Sequence, residues 1–515
     1  KFPTLAVLAL AAATAPAFAQ TAPPRVALHS ASIPAANFDV RAYGAKGDGT
    51  TLDSPSINRA ILAASAAGGG TVHFSRGTYL SLSIRLKSNI RLHLDQGAVI
   101  LAAERTETQR YDVREQTPNT QYQDAGHSYF QNSLIWGDGL QNITIDGPGE
   151  IYGKGLLSDW TRESGFGDKA IALKNCRNVS MQDFTIRHGG WFGILATGVD
   201  NMTVDNLKMD TNRDGIDIDC CRNVRVSNCS INSPTDDGIC LKSSYALGEA
   251  RATENVTITN CLVSGYDEGA LLDGTYRWSE QRSPTGRIKF GTESNGGFKN
   301  ITISNCVFDK CRGFALETVD GGLLEDVSIN NITMRDIVNS PIFLRLARRM
   351  RGPAGTPIGK LRRINISNIV VYNAAAASSV ILAGVPDNYI EDVSISNVQM
   401  WFKGGGTAQH AAITPPESET GYPEPGSLGR MPAYGFYLRH VKNVTLDNIQ
   451  LHTLSTDLRP AFALDDVQGA DFFRIKAQKQ PGVALFGVKN TSNLSIRMAD
   501  GVEDTRRDNV IAGQF

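Results

Sequence analysis

The feature that most constrains this chain is a short word that keeps returning. Asn or Asp, then an apolar residue, any residue and a second apolar residue, starts at Asn142, Asn178, Asn201, Asn223, Asn255, Asn300, Asp326, Asp392 and Asn443. Three of these starts are spaced 23 and 22 residues apart, from Asn178 to Asn201 to Asn223. Within each word apolar and polar residues alternate, the period of a strand with one buried face. A second strand word with a glycine turn follows each start: HGGWFGILA, RDGIDID, DDGICLK, DEGALLD and CRGFALE. One such coil cannot bury its apolar face alone, but coils stacked on one another bury a continuous core. The expected fold is therefore all-β, a single-domain right-handed parallel β-helix. The longer intervals, 32 and 45 residues after Asn223 and Asn255, leave room for inserted loops.

The open end of such a solenoid needs a cover. In DSPSINRAILAASAAGGG, Ser54 is placed to cap, Pro55 fits a first helical turn, Ile57 and Ile61 share a face, and Gly68 stops the helix. This segment is expected to be an N-terminal capping helix. Two stretches, about Glu104 to Gly126 and Gly404 to Pro432, leave the repeat and are expected as long surface loops. Residues 1–19 carry an apolar run and end in Ala17-Phe18-Ala19, a secretory signal cleaved after Ala19. The expected division is signal 1–19, N-terminal extension 20–37, β-helix 38–500 and tail 501–515, with a secreted or periplasmic, monomeric product.

Composition enters by exclusion. Fifty-one Lys and Arg against 52 Asp and Glu leave a net charge of -1, which gives no footprint for nucleic acid. No stretch beyond the leader is long enough to span a membrane. Of the eight cysteines, Cys229, Cys261 and Cys306 share one repeat position, and mostly unpaired buried thiols are expected. Cysteine and histidine spacing suggests no metal site, and no cofactor is expected. The Asn-x-Ser/Thr sites at Asn178, Asn201, Asn255 and Asn300 fall inside the repeat word and read as turn-stacked side chains rather than glycan acceptors.

Repeat position also places chemistry. Asp214, Asp236 and Glu268 each lie 13 residues after a repeat start, and Asp237 follows Asp236. With coils about 4.8 Å apart, this predicts an acidic ladder on one face. Such a ladder is costly as a purely structural device, because like charges repel and lose hydration. Carboxyl groups whose pKa values are pushed apart can perform acid/base work on glycosidic bonds. Cation binding is the rival reading.

These residues carry a family resemblance. FDVRAYGAKGDGTTLDSPSINRAI with GGGTVHFSRGTY resembles the opening of pectin-degrading β-helix proteins with the pectin-lyase-like solenoid. NRDGIDID and TDDGICLKSS resemble the N-T-D-G and D-D-C-I-x-I-K-S motifs of glycoside hydrolase family 28, and GTESNGGFKNITISNC resembles its G-S-E-x-x-G-G-x-x-N segment. The resemblance runs from about Phe38 to Ile337. It implies an inverting, cofactor-free hydrolase of α-linked pectic polysaccharide, with Asp236 as general acid, Asp214 and Asp237 holding and deprotonating the water, and Lys242 closing the second motif. An acid–base separation of about 6.5–9.5 Å is then expected.

Departures from the pattern sharpen the expectation. The family's G-H-G is missing. Its histidine position falls either in GYDEGALLDG, at Asp267 or Glu268, or in SPTGRIKFGTES near Thr285, with Arg287 or Lys289 taking over its function. The family's later R-I-K corresponds to Ala315-Leu316-Glu317, where both cations are lost and an acid appears; Arg287-Ile288-Lys289 lies one coil early. These changes resemble rhamnogalacturonan hydrolases and point to a bond involving a neutral or deoxy sugar beside galacturonate. Homogalacturonan hydrolysis, a polysaccharide lyase and a non-catalytic carbohydrate-binding solenoid are the alternatives. His188, in RHGGWFG, is expected at the substrate rim or in a structural role. Asp217 and Asp219 are expected either beside the site or on solvated faces. Trp191 is expected to pack in its coil and Trp278 to sit at the rim. Arg345, Arg348, Arg349 and Arg351 are expected either as a solvated face or as a grip on an acidic polymer.

Overall fold

In the computed structural model, which describes residues 34–157 and 166–515, successive strands stack in parallel register from Asn37–Asp39 to Phe486–Ala499. The expectations for the leader, and for the extension up to residue 33, lie outside the described residues. A central coil runs Asp214–Asp219, Arg222–Ser227, Ser230–Asn232 and then rises to Ile239–Ser243. Its first strand pairs with the strand above through Ile216 to Ile239 and Ile218 to Leu241. Further along, Phe298–Asp309, Leu323–Arg335 and Lys360–Ala374 fuse two strands into one bent run. One apolar core runs the length of the described coils, filled at corresponding positions by side chains such as Val204, Val226, Ile258 and Ile303.

The repeat word owes its asparagine to the bend between strands. Asn142, Asn178, Asn201, Asn223, Asn255 and Asn300 all take positive φ near +55°, which asparagine tolerates better than most residues. Each donates its side-chain amide to the asparagine one coil below, at 2.8–3.2 Å. The sequons at Asn178, Asn201, Asn255 and Asn300 are thus turn-stacked, as read from the repeat.

The first helix, Ser54–Ala66, buries Ile57, Ala60, Ile61 and Ala64. Its cap differs from expectation: Asp53 is the N-cap, and its carboxylate turns back to accept from Lys46 N and Gly47 N at 2.7 and 2.9 Å. Pro55 occupies the first turn as expected, because its missing N–H would have no helical partner there. All eight cysteines are buried with free thiols. The segment 501–515 contributes Thr505–Gln514, which pairs antiparallel with Phe486–Ala499 and covers the last coil. No helix among the described residues is long and apolar enough to cross a membrane.

Two loops lie over the outward face of the sheet that contains Asp214–Asp219. Residues 125–130 pack Phe130 and Ala125 with Ala172, Trp191, Phe192 and Leu195 on the N-terminal side. The 404–432 loop packs Leu428 and Met431 on Ala315, Phe343, Ile381 and Tyr437 on the C-terminal side. The open groove such a solenoid would otherwise present is thus roofed on both flanks.

Candidate active site

The expected ladder forms, with a one-residue correction. Strands Lys208–Asp210 and Ser230–Asn232 pair at an offset of 22, whereas Asp214–Asp219 and Ile239–Ser243 pair at 23. The turn Ser233–Asp236 therefore holds one residue more than the turn below it. Asp214 thus lies level with Asp237, its neighbour Gly215 donating to Asp237 O at 3.0 Å, and Asp236 lies level with Arg213. The glycine after each aspartate has a reason: a Cβ on Gly215 would sit 2.3 Å from Gly238 O.

One oxygen of each of Asp214, Asp236 and Asp237 lies within 4.8 Å of the others, the only such trio of acids among the described residues. This is shorter than the separation expected for inversion. Stacking on adjacent rungs sets the distance near the rung spacing, and the two expectations were not compatible.

The three carboxyl groups have different surroundings. Asp214 is 3 % exposed; burial, then the charges of Asp236 and Asp217, hold its pKa well above the ordinary range, outweighing Arg213 and Lys242. Asp237 is 1 % exposed. Burial would raise its pKa, but Lys289, Arg287 and Lys242 reverse that and hold it well below the usual range. Arg287 Nε donates to Asp237 Oδ1 at 2.9 Å, and Lys289 Nζ lies 3.5 Å from Oδ2. Asp236 is the open one, its side chain 28 % exposed; Arg213 Nη2 and Nε reach its Oδ2 at 2.8 and 3.0 Å, and Asp237 N donates to Oδ1 at 3.0 Å. Arg213 itself lies over Trp191, 4.9 Å from the ring centre, so Trp191 packs in its coil.

Beside Asp236 opens a cavity of about 350 Å³ lined by Asn212, Thr235, Asp267, Glu268, Thr285 and Arg312, among others. Asp267 and Glu268 reach it from an insertion, not from the ladder. The strand that follows Ile239–Ser243 on this face is Ile288–Ser294, with Ile239 paired to Ile288. GYDEGALLDG is therefore a loop, and the ladder does not extend to Glu268. Of the two placements for the missing histidine, the one near Thr285 fits this register, since Gly286 N donates to Asp236 O and Gly238 N to Arg287 O. Arg287 and Lys289 act from behind the acids rather than from the cavity wall, both being buried. Lys242 is also inside, paired with Glu293 at 3.1 Å. Glu317 is fully buried 3.7 Å from Lys289, its pKa pushed up to about 7 by burial against the pull of Lys289.

His188 sits at the cavity rim, its Nδ1 2.6 Å from Glu268 Oε1. Asp217 and Asp219 take different roles. Asp219 accepts from Ser244 N, Ser244 Oγ and Thr197 Oγ1, a structural bracket. Asp217 belongs to the acid cluster: buried, 3.5 Å from His127 Nε2, with its pKa held well above normal by burial, then by Asp237 and Asp236, against Lys242. Of the basic run, Arg345 donates to the carbonyls of Glu417 and Ser418. Arg348 pairs with Glu419, Arg349 with Asp320, and Arg351 with Asp124 and Glu293. The run thus binds the protein's own acids. Trp278 lies 5.7 Å above Lys310 Nζ instead of lining the cavity.

Sequence reasoning missed Arg213, His127 and Glu424. Arg213 had a signal, standing where N-T-D-G has threonine. His127 and Glu424 come from loops, which carry no register.

Glu317 yields a prediction. Its carboxyl is neutral in the fold below about pH 7 but ionised in the unfolded chain above about 4.5, so its favourable contribution is present in acid and lost as pH rises through that window. Glu317→Gln is expected to gain on wild type by about 3 kcal/mol between pH 5 and pH 8, at 1.36 kcal/mol per pKa unit. Urea unfolding of both proteins at the two pH values measures it, and an unchanged difference would refute it.

A family model described as "Right handed beta helix region" matches residues 125–280 and 170–343, and one described as "Rhamnogalacturonase A/epimerase, pectate lyase-like" matches 37–190. A "Probable polygalacturonase" of Vitis vinifera is 24% identical over 382 residues, covering 69% of this chain and 72% of that protein. The family 28 exopolygalacturonase of Yersinia enterocolitica superposes with a TM-score of 0.63 at 18% identity, over 84% of this chain and 78% of its own. The exopolygalacturonase of Thermotoga maritima gives 0.58 at 18%, over 82% and 92%.

Proposed function

We propose, from the premise that this chain is a divergent, low-identity member of the polygalacturonase-type glycoside hydrolase family, that it hydrolyses α-glycosidic bonds of a pectic polysaccharide at Asp214, Asp236 and Asp237. The observation that carries this is the acid trio itself, three carboxyl groups in three different electrostatic settings next to the cavity that Thr235 and Arg312 line. Asp236 is the most exposed of the three, adjoins the cavity-lining Thr235, and is the one proposed to protonate the departing oxygen. Asp237, held ionised by Arg287 and Lys289, is the base that takes a proton from water. Asp214, its pKa held well above the usual range by burial, is proposed to keep a proton within the trio, with an oxygen within 4.8 Å of one of Asp236.

Inversion is proposed despite the short spacing, on a steric argument. Asp237 is buried and pinned by two cations, which leaves no space beside it for the anomeric carbon of a sugar, so a water is the proposed partner of its carboxylate. The roofs on both flanks favour attack at a chain end. For the bond itself we propose a rhamnogalacturonan-type linkage, since Glu317 replaces a cation of the family pattern; homogalacturonan is the other reading and fits the similarity to polygalacturonases equally. The protein is proposed to act outside the cytoplasm.

Defined oligosaccharides of rhamnogalacturonan I and homogalacturonan, followed by NMR of the anomeric protons, test all of this together. The expected result is an inverted product released from one end of the rhamnogalacturonan series. Fast cleavage of homogalacturonan alone would discard the linkage. A retained anomer would discard the water-activating role of Asp237, and an unsaturated product would indicate a lyase.

A further inference from the structure

The 404–432 loop does more than cover an apolar face. It inserts Glu424 among three cations next to the acid trio. Arg287 donates to both Glu424 oxygens, with Nη1 at 3.3 Å from Oε2; Arg312 Nη1 lies 3.2 Å from Oε1 and Lys289 Nζ 4.0 Å. Arg287, which also holds Asp237, is fully buried, but Arg312 is one wall of the cavity beside Asp236. Tyr422, on the same loop, lies against Lys289 with its ring centre 5.5 Å from Nζ. Three cations converging within a few ångströms of a reacting centre form a receptor for a carboxylate. Here the chain fills that receptor with its own.

We propose that Glu424 is a built-in counter-ion that selects against a uronate at the sugar position beside Arg312, so that this position takes a sugar without a carboxylate. While Glu424 is docked, its charge offsets the cluster, and an incoming uronate meets a carboxylate already in place. Like charges brought together at a partly buried site discriminate strongly between otherwise similar ligands. A neutral or deoxy sugar has no charge to place there and meets no such penalty. This inference rests on the glycosidase reading for its choice of ligand, but it is tested by binding, without turnover.

The test titrates galacturonic acid, and separately rhamnose and galactose, into wild type and Glu424→Gln by calorimetry at low and high salt. The expected result is at least about a tenfold gain in galacturonate affinity for Glu424→Gln, shrinking as salt rises, with less than a threefold change for the neutral sugars. Glu424→Gln combined with Arg312→Gln should lose the gain. Glu424→Asp, which keeps the charge and draws it back by one methylene, should stay within threefold of wild type and guards against loss of the loop's fold. Unchanged galacturonate affinity in a folded Glu424→Gln protein, or equal gains for neutral and acidic sugars, would overturn the proposal. If the gain appears and no pectic substrate is ever cleaved, the glycosidase reading fails and the counter-ion stands. If cleavage occurs without the gain, the counter-ion alone fails.

Discussion

Asp236→Asn is expected to lower turnover by about 10²-fold or more, with the unfolding midpoint and oligosaccharide affinity held close to wild type. The amide keeps the shape of the side chain but cannot deliver a proton, and general acid catalysis accounts for about 10²–10⁴ in rate. Asp236 is the most exposed member of the trio, and its replacement leaves no buried partner stranded; Arg213 stays stacked on Trp191. Steady-state rates on pectic oligosaccharides, paired with calorimetric binding, separate the two effects. Near-wild-type turnover would remove Asp236 from the mechanism and leave Asp214, the protonated neighbour, as the acid.

Arg287→Met is expected to cost about 3–5 kcal/mol of stability, the usual result of removing one member of a buried ion pair. Arg287 is fully buried and holds both Asp237 and Glu424, so its loss leaves two carboxylates leaning on Lys289 and Arg312. Turnover should fall as well, because Asp237 then loses one of the two cations that keep it ionised. Combining Arg287→Met with Asp237→Asn should restore part of the stability, since the stranded charge is gone, while turnover stays low. Urea titrations of the single and double variants read the coupling. Additive effects would mean that the pair is not a unit.

Much of this could be read in the sequence because a β-helix writes its geometry into intervals. The asparagine words placed the bends, and counting 13 residues onward brought Asp214, Asp236 and Asp237 to one patch. The count slipped by one because a fixed step of 13 assumes equal turns in both coils, while the turn Ser233–Asp236 holds one residue more than the turn below it. Glu268 was misplaced for the same reason, as an insertion looked like a strand word. Asp217 was readable in the alternation of DGIDID, where Ile216 and Ile218 face the core. His127 and Glu424 were not, since nothing in a loop's composition says which coil it crosses.

The asparagine stack gives the coils two kinds of corner. At the asparagine corner a coil can lengthen without breaking the column: nine residues lie between Ser243 and Thr253, and Asn255 still bonds Asn223 at 3.1 Å. The corner before Ile239–Ser243 carries a shorter column, in which Asn232 donates to Asp210 and accepts from Ser264, and there too one coil gained a residue and the next gained the whole stretch carrying Asp267, Glu268 and Trp278. Side chains tied from rung to rung thus let either corner grow, and new walls for the cavity can be added while the hydrophobic spine beneath them keeps its alignment.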